Sequence, residues 1–226
     1  MDKGIRVALA FSTAMVLSLA GCRNEIFPAG RGYPPHVQVT ATVFWVGESG
    51  GADRPDVANA QSAWDERWQE HFGGLDDPQH RRGACPAGFV PRENPFYFAL
   101  PYNDFAGGVR KPSAAAVVPW AGDRAWGPGE SMCKNRWIRI SRAGRTCYAQ
   151  WEDVGPFQTD DAAYVFGAAA PRNQSNRQAG LDVSPAVRDW LALGGMDKVD
   201  WQFVEAADVP NGPWKDVVTT SPICWR

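Results

Sequence analysis

The fold is decided by two stretches, Trp151-Glu152-Asp153-Val154-Gly155-Pro156-Phe157 and Gly180-Leu181-Asp182-Val183-Ser184-Pro185. In the first, a Gly-Pro pair follows an apolar run, which is typical of a turn at the end of a strand. In the second, Ser184 can cap a helix whose first turn accepts Pro185. The two stretches therefore predict a strand that ends in a tight turn and, further along, the start of a helix.

Apolar residues outside these stretches alternate with polar ones, as expected for strands with one buried face. The predicted strands cover residues 37–45, 96–100, 137–140, 145–151 and 199–203. The turn Arg142-Ala143-Gly144 joins the third and fourth of them into a hairpin. The chain is therefore predicted to be mainly β.

Two helices are predicted from the spacing of apolar residues. The first has them at mostly four-residue intervals, at Val57, Ala60, Trp64, Trp68 and Phe72, and ends at Gly73-Gly74. The second begins after Ser184, carries an apolar face of Val187, Trp190 and Leu191, and ends at Gly194-Gly195. Residues 47–95 and 105–132, rich in Gly and Pro, are predicted to be two long insertions.

The order of these motifs resembles the rare lipoprotein A group of proteins, whose barrels carry an Asp-x-Gly-Pro-Phe turn, an Asp-Leu-Ser motif opening a helix, and a closing strand. Expansins, barwin-like proteins and barrel-type endoglucanases are more distant kin. The resemblance covers roughly residues 148–205. It implies a six-stranded double-psi β-barrel with one or two short helices. It also implies that Asp153 acts as acid and base on peptidoglycan glycan.

The chemistry of Asp153 can be argued from its neighbours. A carboxylic acid can protonate a glycosidic oxygen when burial beside apolar groups raises its pKa, and Trp151 and Phe157 could supply such surroundings. The alternative is that Asp153 accepts hydrogen bonds from backbone amides in a tight turn. The resemblance places Asp182 beside the same turn, where it could shape the site.

A second carboxylate, Asp104, is the candidate partner of Asp153. A separation of about 5 Å suits a covalent route and about 6.5 to 9.5 Å suits direct attack by water. The alternative is that Asp104 is a solvated loop residue. The family usually presents a histidine where this chain has Tyr97, and that departure favours a protein that binds without cleaving.

Eleven tryptophans are available as flat platforms for sugar rings. Those with helical or strand periodicity are more simply core residues. Trp137 and Trp151 are the remaining binding candidates, and Tyr97 and Asp182 complete the predicted substrate site.

The first residues predict export. Lys3 and Arg6 precede a short apolar run that ends in Leu19-Ala20-Gly21-Cys22, which resembles the bacterial lipobox. This implies a signal peptide over residues 1–21, an acylated Cys22 that anchors the chain in the membrane, and a flexible tether over 22–36. The folded domain is then residues 37–226. Arg23 follows the cysteine, and a residue other than Asp at this position resembles the signal that sorts lipoproteins to the outer membrane, where the domain would face the periplasm.

Export to an oxidising compartment also bears on the other four cysteines. Cys85, Cys133, Cys147 and Cys224 are predicted to form two disulfides that pin the insertions, with the pairing left open. Their spacing matches no common zinc pattern, and no cofactor motif is present, so neither a metal nor a cofactor is predicted. A net charge of −2 without a basic stripe argues against nucleic acid.

Three functions are consistent with these patterns. The first is an outer-membrane lipoprotein that binds peptidoglycan glycan and cleaves it as a lytic transglycosylase through Asp153. The second is an expansin-like or inhibitor-like module that grips wall polysaccharide or a protein partner without chemistry. The third is an endoglucanase-like hydrolase, for which Asp104 and Asp153 would have to face each other.

Overall fold

The computed structural model describes residues 1, 32–50 and 59–225. In chain order its strands are β1 (His36–Val43), β2 (Arg81–Arg82), β3 (Cys85–Pro86), β4 (Tyr97–Leu100), β5 (Phe105–Ala106), β6 (Val109–Arg110), β7 (Trp137–Arg142), β8 (Arg145–Val154), β9 (Ala179–Val183) and β10 (Asp197–Val204). Six of them form a closed barrel in the order β1-β10-β7-β8-β4-β9. The prediction of a mainly β, six-stranded barrel is confirmed.

The barrel combines two parallel strand pairs with four antiparallel ones. β1 runs parallel to β9, and β4 runs parallel to β8. The hairpin β7–β8, the contacts of β10 with β1 and β7, and the pair β4–β9 are antiparallel. Parallel neighbours need crossover connections, so strands distant in sequence lie side by side. The double-psi assignment itself rests on the sequence resemblance and stays a prediction.

The barrel interior is filled by large aromatic side chains. Along β10 the residues Val199, Trp201 and Phe203 point inward and are buried, which confirms the predicted alternation. Trp201 stacks on His36 of β1, with ring centroids 3.8 Å apart. Removing such a side chain from water stabilises the fold by roughly 1.5 to 3 kcal/mol.

The first strand differs from its prediction at its beginning. The alternation was expected to place Val37 inside, but its side chain is 64 % exposed. The register of β1 against β10 shifts between His36 and Val39, and Gln38 has a φ of 53°. This irregularity turns Val37 outward. Val39, Thr40 and Ala41 are all buried, so the predicted alternation is not seen in β1.

The predicted first helix is much shorter than expected. Only Trp68–Phe72 is helical (α1), residues 59–67 form turns, and Val57 lies outside the described residues. The carboxylate of Asp65 accepts the backbone N–H of Arg67 and so holds a turn before the helix. Trp64 packs in the barrel core and Trp68 in a separate cluster with Phe72, so their four-residue spacing does not mark one helix face.

The remaining α-helices are also short. They are α2 (Ala114–Val117), α3 (Ala162–Val165) and α4 (Pro185–Leu191), and single 3-10 turns occur at Ala121–Asp123, Ala206–Asp208 and Pro213–Lys215. The predicted start of α4 is confirmed, since the Ser184 hydroxyl accepts the N–H of Val187 at 3.3 Å. The helix ends earlier than predicted, with Ala192 in the left-handed conformation.

Replacing Ser184 by alanine should lower the free energy of unfolding by about 1 kcal/mol, because the buried Val187 amide loses its acceptor. Chemical denaturation of both proteins measures this. A Ser184→Asp variant keeps an acceptor and should lose less stability than Ser184→Ala. An alanine variant as stable as the wild type would contradict the capping role.

The two predicted disulfides are not seen. No bond joins Cys85, Cys133, Cys147 or Cys224, all of which are described. Cys147 is fully buried in the barrel and lies opposite Ile140 on β7, so apolar core surrounds its thiol. Cys85 lies instead in the small hairpin β2–β3.

The signal peptide, Cys22 and most of the tether lie outside the described residues, and the domain boundaries stay predictions. Within the described part, Tyr33 is buried and its hydroxyl donates to Glu205 at 2.6 Å. None of the helices in residues 32–50 and 59–225 has the length and apolar character to cross a bilayer.

Candidate functional site

The barrel brings Asp153 and Asp182 to the two sides of Ala99. Asp153 pairs with Ala99 across the parallel strands β4 and β8, and Asp182 pairs with it across the antiparallel strands β4 and β9. The Thr42 hydroxyl donates a hydrogen bond to Asp182 Oδ1. A Cβ on Gly155 would lie 3.1 Å from Asp182 Oδ2, so glycine allows the turn after Asp153 to approach Asp182 closely. The sequence stretches 151–157 and 180–185 therefore meet at one place in the barrel.

Asp153 is 9 % exposed, and its carboxyl group is held by backbone amides. Its Oδ1 accepts the N–H of Ala63 at 2.7 Å and that of Val154 at 2.8 Å. Burial raises the pKa of Asp153 to about 7, the two amides oppose this rise, and the charge of Asp182 adds to it. At neutral pH the group can therefore both donate and accept a proton.

Residues 62–66, which we call the cover segment, lie over Asp153. Besides the Ala63 amide, the segment contributes Trp64, whose ring meets Trp151 edge to face at 5.7 Å. Trp64 Nε1 donates to Asn103 Oδ1 at 2.9 Å. The Oδ1 atom of the carboxyl group is therefore covered in this structure, and a sugar could reach both carboxyl oxygens only after the cover segment moved.

Trp151 lies inside the barrel. Its ring is fully buried, stacks on Phe98 with centroids 6.0 Å apart, and lies 5.8 Å from Phe203. Its Nε1 donates to the backbone carbonyl of Asp153 at 2.8 Å. The indole thus supplies the apolar surroundings expected for Asp153, but it presents no open face to a sugar ring in this structure.

Tyr97 and Asp104 are also buried, each in a different part of the molecule. The Tyr97 hydroxyl donates to Asp76 Oδ2 at 2.9 Å and accepts the N–H of Val46 at the same distance. Asp104 accepts from the Ser131 hydroxyl and the Met132 N–H, both at 2.7 Å. Asp104 therefore anchors the second insertion, and its hydrogen bonds connect it to that insertion and not to Asp153.

Trp137 contributes to a cleft of about 280 Å³ on the outside of the barrel. Its walls include Trp126, Arg124, Lys134, Arg136 and Glu205. The Arg124 guanidinium lies 3.8 Å from the centre of the Trp126 ring. Arg136 forms an ion pair with Glu205 at 3.5 Å. We call this feature the indole cleft.

Sequence reasoning missed most of the indole cleft. Arg124 and Trp126 belong to the second insertion, and Arg136 directly precedes β7. The sequence does carry a signal for this cleft, because an arginine lies close to a tryptophan both at Arg124-Ala125-Trp126 and at Arg136-Trp137. Only the folding of the insertion against the barrel brings the two short sequences together.

A further buried carboxylate, Glu152, was also missed. It is 1 % exposed, and burial raises its pKa well above the usual range, against the opposing charge of Lys134. The charge of Glu93 raises that pKa further. Glu152 and Asp153, which are adjacent on β8, thus both carry buried carboxyl groups with raised pKa values.

Comparisons with known proteins do not place the chain in a family. No family model matches it, and no curated protein sequence matches it. Among solved structures it is similar to the Streptomyces papain inhibitor, with 14 % identity over 76 % of this chain and 96 % of that one. The TM-score is 0.33.

Proposed function

We propose that this chain is an envelope protein that holds peptidoglycan glycan in the indole cleft without cleaving it. The observation that carries the proposal is the combination in one cleft of the partly exposed Trp126 indole with the Arg124, Lys134 and Arg136 side chains. Trp137 also lines this cleft, but it is only 5 % exposed. Sugar rings pack their C–H faces on indoles, and guanidinium groups bind carboxylates. Peptidoglycan offers both partners, since its glycan carries peptide stems that end in carboxylates, and the lactyl carboxylate is free wherever a stem has been removed.

The enclosure of Asp153 supports binding over cleavage. The carboxyl group is bonded to the cover segment through Ala63, and the neighbouring Trp151 ring is fully buried. Retention on glycan through the indole cleft requires no movement of these residues. Membrane attachment through Cys22 and an outer-membrane location belong to the same proposal and rest on the sequence alone.

Binding is tested with the purified full-length protein and isolated sacculi. Trp126→Ala should weaken retention roughly fivefold, because the cleft loses an aromatic face worth about 1 kcal/mol. Arg124→Ala should also weaken it. The matched control is Arg172→Ala, since the two side chains are 44 % and 51 % exposed. Both form surface ion pairs, Arg124 with Glu130 and Arg172 with the neighbouring Asp160 and Asp161. Retention of Trp126→Ala and Arg124→Ala at the wild-type level would contradict the proposal.

A second candidate function is lytic cleavage by Asp153. The observation that favours it is the pKa of Asp153, which burial raises to about 7, as a general acid at neutral pH requires. Mass spectrometry of fragments released from sacculi by the wild type and by Asp153→Asn decides between the two. Anhydro-sugar ends from the wild type alone would establish cleavage, and reducing ends would indicate hydrolysis.

A further inference from the structure

The cover segment is held from two sides. Toward the barrel, Ala63 donates its N–H to Asp153 and the Trp64 ring packs on Trp151. Toward the outside, the backbone of residues 64–66 pairs with the end of the chain. The N–H of Trp225 donates to the Trp64 carbonyl at 2.8 Å, and the N–H of Glu66 donates to the Trp225 carbonyl at 3.0 Å.

Residues 219–225, which we call the C-terminal strap, continue from this contact to the second insertion. The Cys224 N–H donates to the Gly129 carbonyl at 2.8 Å, and the Ser131 N–H donates to the Pro222 carbonyl at 2.8 Å. The strap is therefore an irregular connection between the cover segment and residues 129–131.

The strap is also fixed to the barrel wall at its beginning. Gln150 of β8 donates from Nε2 to the Thr219 carbonyl at 2.8 Å and accepts the Thr219 N–H through Oε1 at 3.0 Å. Lys134 Nζ donates to the Ile223 carbonyl at 3.3 Å. The strap therefore passes over the part of β8 that precedes Asp153.

Hydrogen bonds contribute more to this attachment than apolar packing. Along the strap only Thr219 and Cys224 are buried, and Trp225 at its end is 44 % exposed. Segments with little apolar burial and exposed backbone hydrogen bonds open at a lower free energy than the core. The strap should therefore detach while the barrel remains folded.

We propose that the C-terminal strap is a latch that keeps the cover segment closed over Asp153, and that release of the strap opens access to this carboxyl group. The latch does not depend on glycan binding in the indole cleft. Any ligand that binds at Asp153 would therefore have to bind the form in which the strap is released.

The test is amide hydrogen exchange in two variants, a shortened chain and a chain with one substitution in the strap. In a chain that ends at Pro222, the Ala63 amide should exchange at least tenfold faster, while the Ile140 amide of β7 keeps its protection. Trp225→Pro, which removes the N–H donor to the Trp64 carbonyl, should give a smaller increase at Ala63. The control Val218→Gly changes a 39 % exposed residue just before the strap and should leave the Ala63 amide unchanged.

Unchanged exchange at Ala63 in the folded, shortened chain would overturn the latch. If the shortened chain does not fold, Trp225→Pro decides alone, with faster exchange supporting the latch and unchanged exchange refuting it. Because the readout is exchange at Ala63, failure of sacculus binding leaves the result unaffected.

Discussion

Asp153→Asn should raise the free energy of unfolding at pH 8. The increase should be about 4 kcal/mol larger at pH 8 than at pH 4. The pKa of Asp153 is raised by burial from 3.8 to about 7 in the folded protein. Folding therefore favours the protonated form. This stability is fully present below pH 3.8 and is lost as the pH rises to about 7. Asparagine keeps an oxygen acceptor for the Ala63 and Val154 amides but cannot ionise.

Urea unfolding at pH 4, 6 and 8 measures this dependence. The matched control is Asp160→Asn, because Asp160 is an exposed aspartate in a surface ion pair and should change stability by less than about 0.5 kcal/mol at every pH. Equal effects of Asp153→Asn at pH 4 and pH 8 would show that Asp153 ionises as freely in the folded protein as in the unfolded chain.

Trp151→Ala should reduce the free energy of unfolding by about 4 kcal/mol. The side chain is fully buried between Phe98 and Phe203, so its removal leaves a cavity in the barrel. The hydrogen bond to the Asp153 carbonyl is lost as well. Trp151→Phe keeps an aromatic ring and should cost roughly half as much.

Thermal or denaturant unfolding distinguishes this core role from the role as a sugar platform. Trp126→Ala, at a partly exposed indole, is the comparison and should cost less than about 1 kcal/mol. A Trp151→Ala protein of wild-type stability that no longer binds sacculi would instead assign Trp151 to the ligand.

The strands with clear alternation could be predicted from the sequence, and β9 could not. In β10 the inward Val199, Trp201 and Phe203 alternate with polar residues because one face is buried and the other meets water. β9 is the run Ala-Gly-Leu-Asp-Val, in which four of five residues are buried. Such a strand has no polar face in its pattern, and only its pairing with β1 and β4 defines it.

Only the parts of the candidate site that depend on short local motifs could be predicted from the sequence. Asp153 and Asp182 follow from motifs a few residues long, and both lie beside Ala99 as strand pairing requires. The cover segment could not be predicted, because the bond from Ala63 to Asp153 joins residues 90 positions apart. The amphipathic spacing of Trp64 and Trp68 even suggested a continuous helix where the chain makes turns.

Closure of the barrel limits how this protein can recognise other chains. Each of the six barrel strands has a neighbour on both sides, so the barrel offers no strand edge to which a foreign peptide could add. Recognition by side chains can draw on the insertions, which supply Arg124 and Trp126 of the indole cleft and all of the cover segment. Exchange of an insertion between related barrels should therefore transfer binding specificity and leave the scaffold intact.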